Sequence, residues 1–181
     1  MLFYSILRLI VDTVASILGG LLLLRFWMQA VRMRPPSSIA NFVFHLTDWL
    51  VRPLRKILPG IGGYDWASLL GAFLIAILGV AAGYWMAGFF SVQFVILLAL
   101  LHVVTWVIYG FMGLLILEVI FSWVNPYAPM APFIRGLNDP LLRPLRRIIP
   151  LVGNIDLSTL VAFLLLQIAL QLVNALFASF L

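Results

Sequence analysis

Ionisable side chains are scarce in this 181-residue chain: 11 Lys and Arg, 6 Asp and Glu, and 2 His. Cysteine is absent, which removes disulfides, thiolate metal sites, Cys-X-X-Cys redox chemistry and cysteine nucleophiles. Metal or b-type haem ligation needs ligands that converge. His45 reads as a loop residue and His102 lies well inside an apolar run, so the two are not expected to meet within one chain. Ligation between subunits through His102 stays open. No Ser/His/Asp set and no paired carboxylates converge where water can reach. The expectation is a non-enzyme with no catalytic residue, no metal and no cofactor.

The charges that do occur are patterned. Arg8 and Asp12 are four apart, share a helix face and read as a local ion pair. Arg25 lies 23 residues before Asp48, and Glu118 lies 21 before Asp139. Similar depth in two membrane spans is therefore expected. Opposite charges in a membrane are costly unless paired, so an Arg25–Glu118 bridge locking two halves together is expected, with a gate or ion path as the other reading. The strongest pattern is a duplication. Residues 48–65 align without a gap on residues 139–156 at a constant offset of 91, with ten of 18 columns identical.

In the first copy, Arg52, Arg55 and Lys56 fall at helical spacing on one side, with Leu54, Ile57 and Leu58 on the other. Arg143, Arg146 and Arg147 repeat this against Leu145, Ile148 and Ile149. Pro53 and Pro144 suit the first position of a helix, where the missing N–H is not needed. The pattern describes a short amphipathic helix in the headgroup plane. Each basic residue beside an anionic leaflet contributes about 1 kcal/mol. The six basic residues serve either as a topology anchor or as a site for anionic lipid or an acidic partner segment. Pro59-Gly-Ile-Gly62-Gly and Pro150-Leu-Val-Gly153-Asn154 then turn the chain. Asp65 and Asp156 follow, placed to accept hydrogen bonds from free N–H groups at a helix start. Salt bridging to the basic helix is their other reading.

The elements that must position these groups are membrane helices. Hydrophobic residues make up 65% of the chain and charged residues 9%, against roughly 25% charged in soluble domains. That excludes an ordinary soluble enzyme and a disordered chain. A span needs ~20 apolar residues, and about residues 3–31, 66–90, 92–124 and 157–181 qualify. Nine of the 11 Lys and Arg lie in the two links that follow spans one and three. Cytoplasmic loops collect such residues, so both basic links are expected in the cytoplasm and both termini on the other side of the membrane. The first span is too long, and holds Asp12, to be a cleaved signal. The fold expected is all-α: four transmembrane helices in two parallel repeats, each with a cytoplasmic amphipathic basic helix. Repeat 1 is 1–90 with its basic segment at 32–65; repeat 2 is 91–181 with its basic segment at 125–156.

Three further patterns concern packing. Gly79 and Gly83, extended by Ala72, Ala76 and Ala87, mark close helix contact within or between chains. Gln167, Gln171 and Asn174 share one face of the fourth span and read as interhelical hydrogen-bonding groups, with a polar pore lining as the other reading. Trp27, Trp49, Trp66, Trp85 and Trp123 fall near the ends of spans, as an interfacial aromatic belt does.

The doubled Asp-x-Leu-x-Arg-Pro-Leu-Arg-(Arg/Lys)-Ile-x-Pro-x-x-Gly-x-x-Asp motif, with Leu24-Arg-Phe-Trp-Met-Gln29 and Phe121-Ser-Trp-Val-Asn-Pro126, resembles the YggT/YlmG family over nearly the whole chain. The resemblance implies a two-copy, proteobacterial type in the inner membrane of a Gram-negative bacterium. It also implies links to osmotic or extracytoplasmic stress and potassium uptake, and in other relatives to cell division, membrane organisation and haem attachment on plastid cytochrome b6. It supplies no catalytic residues. Arg34-Pro-Pro-Ser-Ser38 in the first copy stands where the second has Asn125-Pro-Tyr-Ala-Pro129, so the two loops need not be equivalent. The expected function is a scaffold or assembly factor in the envelope or osmotic stress response. The alternative is an oligomeric ion channel or transporter subunit. Expected partners are anionic lipid headgroups, other membrane proteins and further copies of the chain, with no nucleic acid.

Overall fold

The computed structural model describes residues 2–87, 91–149 and 156–180. Its helices are α1 (Leu2–Ala30), α2 (Ser37–Ile57), α3 (Trp66–Ala87), α4 (Val92–Val124), α5 (Ala131–Arg146) and α6 (Leu157–Ala178). Helices α1, α3, α4 and α6 are long and apolar enough to cross a membrane. They coincide with the four expected spans, and the bounds of α4 match the expected ones. The expected span ends at Phe90 and Leu181, and the turn at Pro150, Gly153 and Asn154, lie outside the described residues.

The short amphipathic helix expected to begin at Pro53 is instead the last part of a longer one. Helix α2 starts at Ser37 and keeps Pro53 in its interior, and α5 likewise contains Pro140 and Pro144. The upstream stretch is helical because Val43, Thr47 and Val51, spaced four apart, bury one stripe. An interior proline removes one backbone hydrogen bond, but so near the end of α2 the packed stripe outweighs that loss. The basic residues consequently sit in the last turns, where they favourably meet the negative end of the helix dipole.

Helix α1 packs most extensively on α3, α3 on α4, and α4 on α5 and α6. The small-residue face of α3 makes the first of these contacts. Ala72 and Ala76 are buried with Ala15, Leu22 and Leu23 of α1, and a β-carbon on Gly79 would lie 3.1 Å from that of Ala15. The stripe thus serves packing within the chain. Gly19 lets α1 approach α4 closely, since a β-carbon there would lie 2.1 Å from the Trp106 ring.

A second cluster joins the halves. Met28 of α1, Val43 of α2 and Phe133, Ile134 and Leu137 of α5 are buried together. Trp27 adds a polar contact, its indole N–H donating to the Leu137 carbonyl at 2.9 Å.

Two turns depend on left-handed backbone. Gly62 and Gly63 have φ of 68° and 84° and close the turn between α2 and α3. Arg32 has φ of 57° at the end of α1, where Met33 N–H donates to Met28 O at 2.9 Å. That bond is the Schellman closure, which normally places glycine at this position. A residue with a β-carbon there costs roughly 1–2 kcal/mol.

Helix α6 is the least embedded span. Gln167, Gln171 and Asn174 are exposed along it and hydrogen-bond to no neighbouring helix among the described residues. The expected interhelical bonds are therefore not made within the chain, because the stripe lies on the side turned away from α4 and α5.

Candidate functional site

Two ion-pair clusters sit where α2 and α5 meet the membrane-length helices. In the first, Arg25 of α1 is 6% exposed. Its Nη1 donates to Asp48 Oδ1 and Thr47 Oγ1, both at 2.7 Å, and its Nε lies 3.5 Å from Asp65 Oδ2. The guanidinium also stacks over the Phe44 ring at 4.7 Å. Arg55 Nη2 donates to Asp65 Oδ2 at 2.5 Å, and Arg52 Nη2 lies 2.7 Å from Asp48 Oδ2.

In the second, Glu118 of α4 accepts from Arg146 Nη2 at 2.9 Å and from Asn138 Nδ2 at 2.7 Å. Arg146 Nε also donates to Asp156 Oδ2 at 2.9 Å. Arg143 pairs with Asp139 one helical turn away at 2.5 Å.

The expected Arg25–Glu118 bridge is absent: each residue is held by its own repeat. Similar depth does not put two side chains on facing sides of their helices. The offset of 91 equates Glu118 with Trp27 and Arg25 with Ile116, so the two charges occupy different helix faces. Trp27, through Leu137, makes the hydrogen bond between halves that the bridge was expected to make. Arg8 and Asp12 do pair locally, at 3.6 Å and largely exposed.

Asp65 and Asp156 each combine the two roles weighed for them. Asp65 accepts from Ser68 N at 3.3 Å and Ser68 Oγ at 2.7 Å while holding Arg55. Asp156 accepts from Ser158 N at 3.0 Å and from its hydroxyl while holding Arg146. Burial pushes both carboxyls up, but the hydrogen bonds from serine and arginine outweigh it and hold both below the usual carboxylate range. Asp48 is also held low, first by the hydrogen bond from Arg25. Burial opposes the charge on Arg146, and its bonds to Asp156 and Glu118 more than offset that, raising its pKa.

Of the six basic residues expected to meet lipid or a partner, Arg52, Arg55, Arg143 and Arg146 are thus committed to carboxylates. Lys56 and Arg147 make no ion pair among the described residues. Thr47 and Asn138, equivalent at the offset of 91 and both buried, carry the clusters but did not stand out in the sequence. A polar residue in an amphipathic segment reads as solvated; its recurrence just before both motif copies was the available signal. His45 is exposed on α2, and His102 Nδ1 lies 2.8 Å from Leu98 O. No group of three metal-ligating side chains forms among the described residues.

Each cluster borders an open cavity. The first, of about 660 Å³, is lined by Arg25, Arg32, Arg34, Arg52, Arg55 and Asp48 among others. The second, of about 720 Å³, has Arg135 and Arg146 facing Glu118 and Asp156. A third, of about 700 Å³, is almost wholly apolar and lies between α1 and α4.

Four helices of membrane-spanning length, with one motif duplicated after the first and the third, make this a polytopic, internally repeated membrane protein. The CCB3/YggT family profile matches residues 4–86 and 97–177, and the chain belongs to that family. An uncharacterized protein of Pseudomonas aeruginosa is 36% identical over 171 residues, covering 91% of this chain and 86% of its own. The uncharacterized protein YggT of Escherichia coli K12 is 32% identical over 164 residues, covering 90% and 86%. A Vibrio alginolyticus protein described as lying in the proC 3′ region is 31% identical over 164 residues, covering 88% and 89%. No solved structure matches the chain.

Proposed function

We propose that this chain is a non-enzymatic scaffold or assembly factor of the bacterial inner membrane, acting in the envelope or osmotic stress response. It presents two basic surface helices, α2 and α5, to the cytoplasmic leaflet and to partner membrane proteins, with both termini in the periplasm. The observation that carries this reading is the repeated tie. Arg55–Asp65 and Arg146–Asp156 each fix the end of a surface helix to the first turn of the next span. A rigidly held basic surface suits docking, and Lys56 and Arg147 are left for it. Positive charge beside a span also favours a cytoplasmic location.

A channel or transporter subunit is favoured by one observation, the outward stripe of Gln167, Gln171 and Asn174. Four spans would need several copies around a shared path. The test is purification from native membranes in mild detergent, with the mass and composition of the complex measured. A stoichiometric foreign membrane protein, lost from Lys56→Glu/Arg147→Glu, supports the scaffold. A pure homo-oligomer that passes potassium in liposomes replaces it with the channel.

A further inference from the structure

We propose that the first repeat holds a phosphate-binding pocket, absent from the second, that takes the headgroup of an anionic phospholipid. Five arginines, Arg25, Arg32, Arg34, Arg52 and Arg55, line the first cavity. The acids facing them are Asp48, on the wall, and Asp65, behind Arg25 and Arg55. Those two carboxylates are already used by Arg25, Arg52 and Arg55. Arg32 and Arg34 form no ion pair among the described residues, so the cavity keeps a clear excess of positive charge. The second cavity balances Arg135 and Arg146 against Glu118 and Asp156. The duplication therefore preserved the motif but not the charge of the cavity beside it.

Two local features point the same way. Arg25 is almost fully buried, and its Nε has no hydrogen-bond acceptor. Its Nη1 is taken by Asp48 and Thr47 and its Nε faces the Asp65 carboxylate at 3.5 Å, so Arg25 gives the cavity a fixed positive charge rather than a free donor. Arg32 occupies a left-handed position where glycine closes a helix more easily. Backbone kept in such a conformation by a side-chain-bearing residue is a mark of functional positions. Here it sets a guanidinium in the cavity wall.

The lipid source is favoured over free phosphate by the other walls. Met28, Met33 and Phe44 line the same cavity, at the end of a membrane-length helix. A phosphate with an apolar body matches both surfaces, whereas inorganic phosphate uses only one. The lipid source rests on the membrane-surface placement of α2 proposed above; the anion site itself does not.

The test uses the full chain, delipidated in detergent. Phosphatidylglycerol, phosphatidylcholine and inorganic phosphate are titrated separately, with bound lipid read by native mass spectrometry and melting followed in parallel. The expected result is one tightly held phosphatidylglycerol per chain, bound about tenfold more tightly than phosphatidylcholine, the effect of one charge-assisted contact. Arg32→Gly and Arg34→Gln should each weaken phosphatidylglycerol by about tenfold. Arg32→Gly should melt no lower than the parent without lipid, because glycine relieves the backbone; this separates lost binding from lost folding. Arg135→Gln, beside the second cavity, should bind as the parent. If inorganic phosphate competes phosphatidylglycerol away at equal strength, the phosphate site stands and the lipid source is overturned. If Arg32→Gly and Arg34→Gln bind normally, the pocket is overturned. If Arg135→Gln loses as much as they do, attraction is spread over the basic helices, which overturns the pocket and leaves the scaffold reading intact.

Discussion

Arg55 holds Asp65 ten residues along the chain, Nη2 to Oδ2 at 2.5 Å, and the second repeat makes the same tie between Arg146 and Asp156. Each pair joins α2 or α5 to the membrane-length helix that follows it, and each carboxylate also caps that helix. In the first motif the spacing of Arg, Pro, Gly and Asp sets up one guanidinium, one turn and one cap; the described residues of the second repeat the guanidinium and the cap.

The two ties differ in burial, and that difference is measurable. Asp65 is 2% exposed and also lies against Arg25, whereas Asp156 is partly solvated. Removing one partner of a buried pair leaves the other charge uncompensated, which costs about 3 kcal/mol or more. Asp65→Asn should therefore destabilise by about that amount, and Asp156→Asn by about 1 kcal/mol, the scale of a lost cap. Unfolding in mixed detergent micelles, followed by circular dichroism, gives both values.

Acid should weaken the fold in a defined window. The carboxyls of Asp48, Asp65 and Asp156 all titrate below their ordinary value in the folded chain. A depressed folded pKa gives stability that is complete above the unfolded value, near 3.9, and is lost as pH falls towards the folded one. The melting temperature should be flat from about pH 8 to pH 5 and drop below about pH 4. In Asp65→Asn the drop should be shallower.

Charge coupling should run within repeats. In a double-mutant cycle, Arg25→Met and Glu118→Gln should add to within about 0.5 kcal/mol, as uncoupled sites do. Glu118→Gln with Arg146→Met should fall short of additivity by about 1 kcal/mol. Coupling between Arg25 and Glu118 would restore the bridge that the structure replaces.

Neighbouring glycines on α1 should respond oppositely. A β-carbon at Gly19 meets the Trp106 ring, while one at Gly20 meets nothing within 4 Å. Gly19→Ala should cost about 1–3 kcal/mol through overpacking, relieved when Trp106 is shortened to Leu. Gly20→Ala should be neutral or gain up to about 1 kcal/mol, since glycine inside a helix is unfavourable. Thermal melts of the single and double variants separate the two.

Long apolar runs identify membrane helices with little tertiary context, so α4 could be bounded at Val92 and Val124 from sequence. Caps are equally local, and Asp65 and Asp156 could be placed by their position before such runs. Partners across helices depend on rotation about each axis, which composition does not encode. That is why Arg25 finds Asp48 and Thr47, and Glu118 finds Arg146 and Asn138. The extent of α2 upstream of Pro53 was hidden for a related reason. A proline is tolerated inside a helix only when packing compensates, and the stripe of Val43, Thr47 and Val51 that does so is buried by other segments.

The short link from Leu58 to Asp65 would by itself be a slack hinge. The Arg55–Asp65 pair bypasses it, so a displacement of α2 is carried into the head of α3 instead of being absorbed by the turn. The second pair likewise joins the end of α5 to the head of α6, so both halves carry the same brace between a basic helix and the membrane-length helix that follows it.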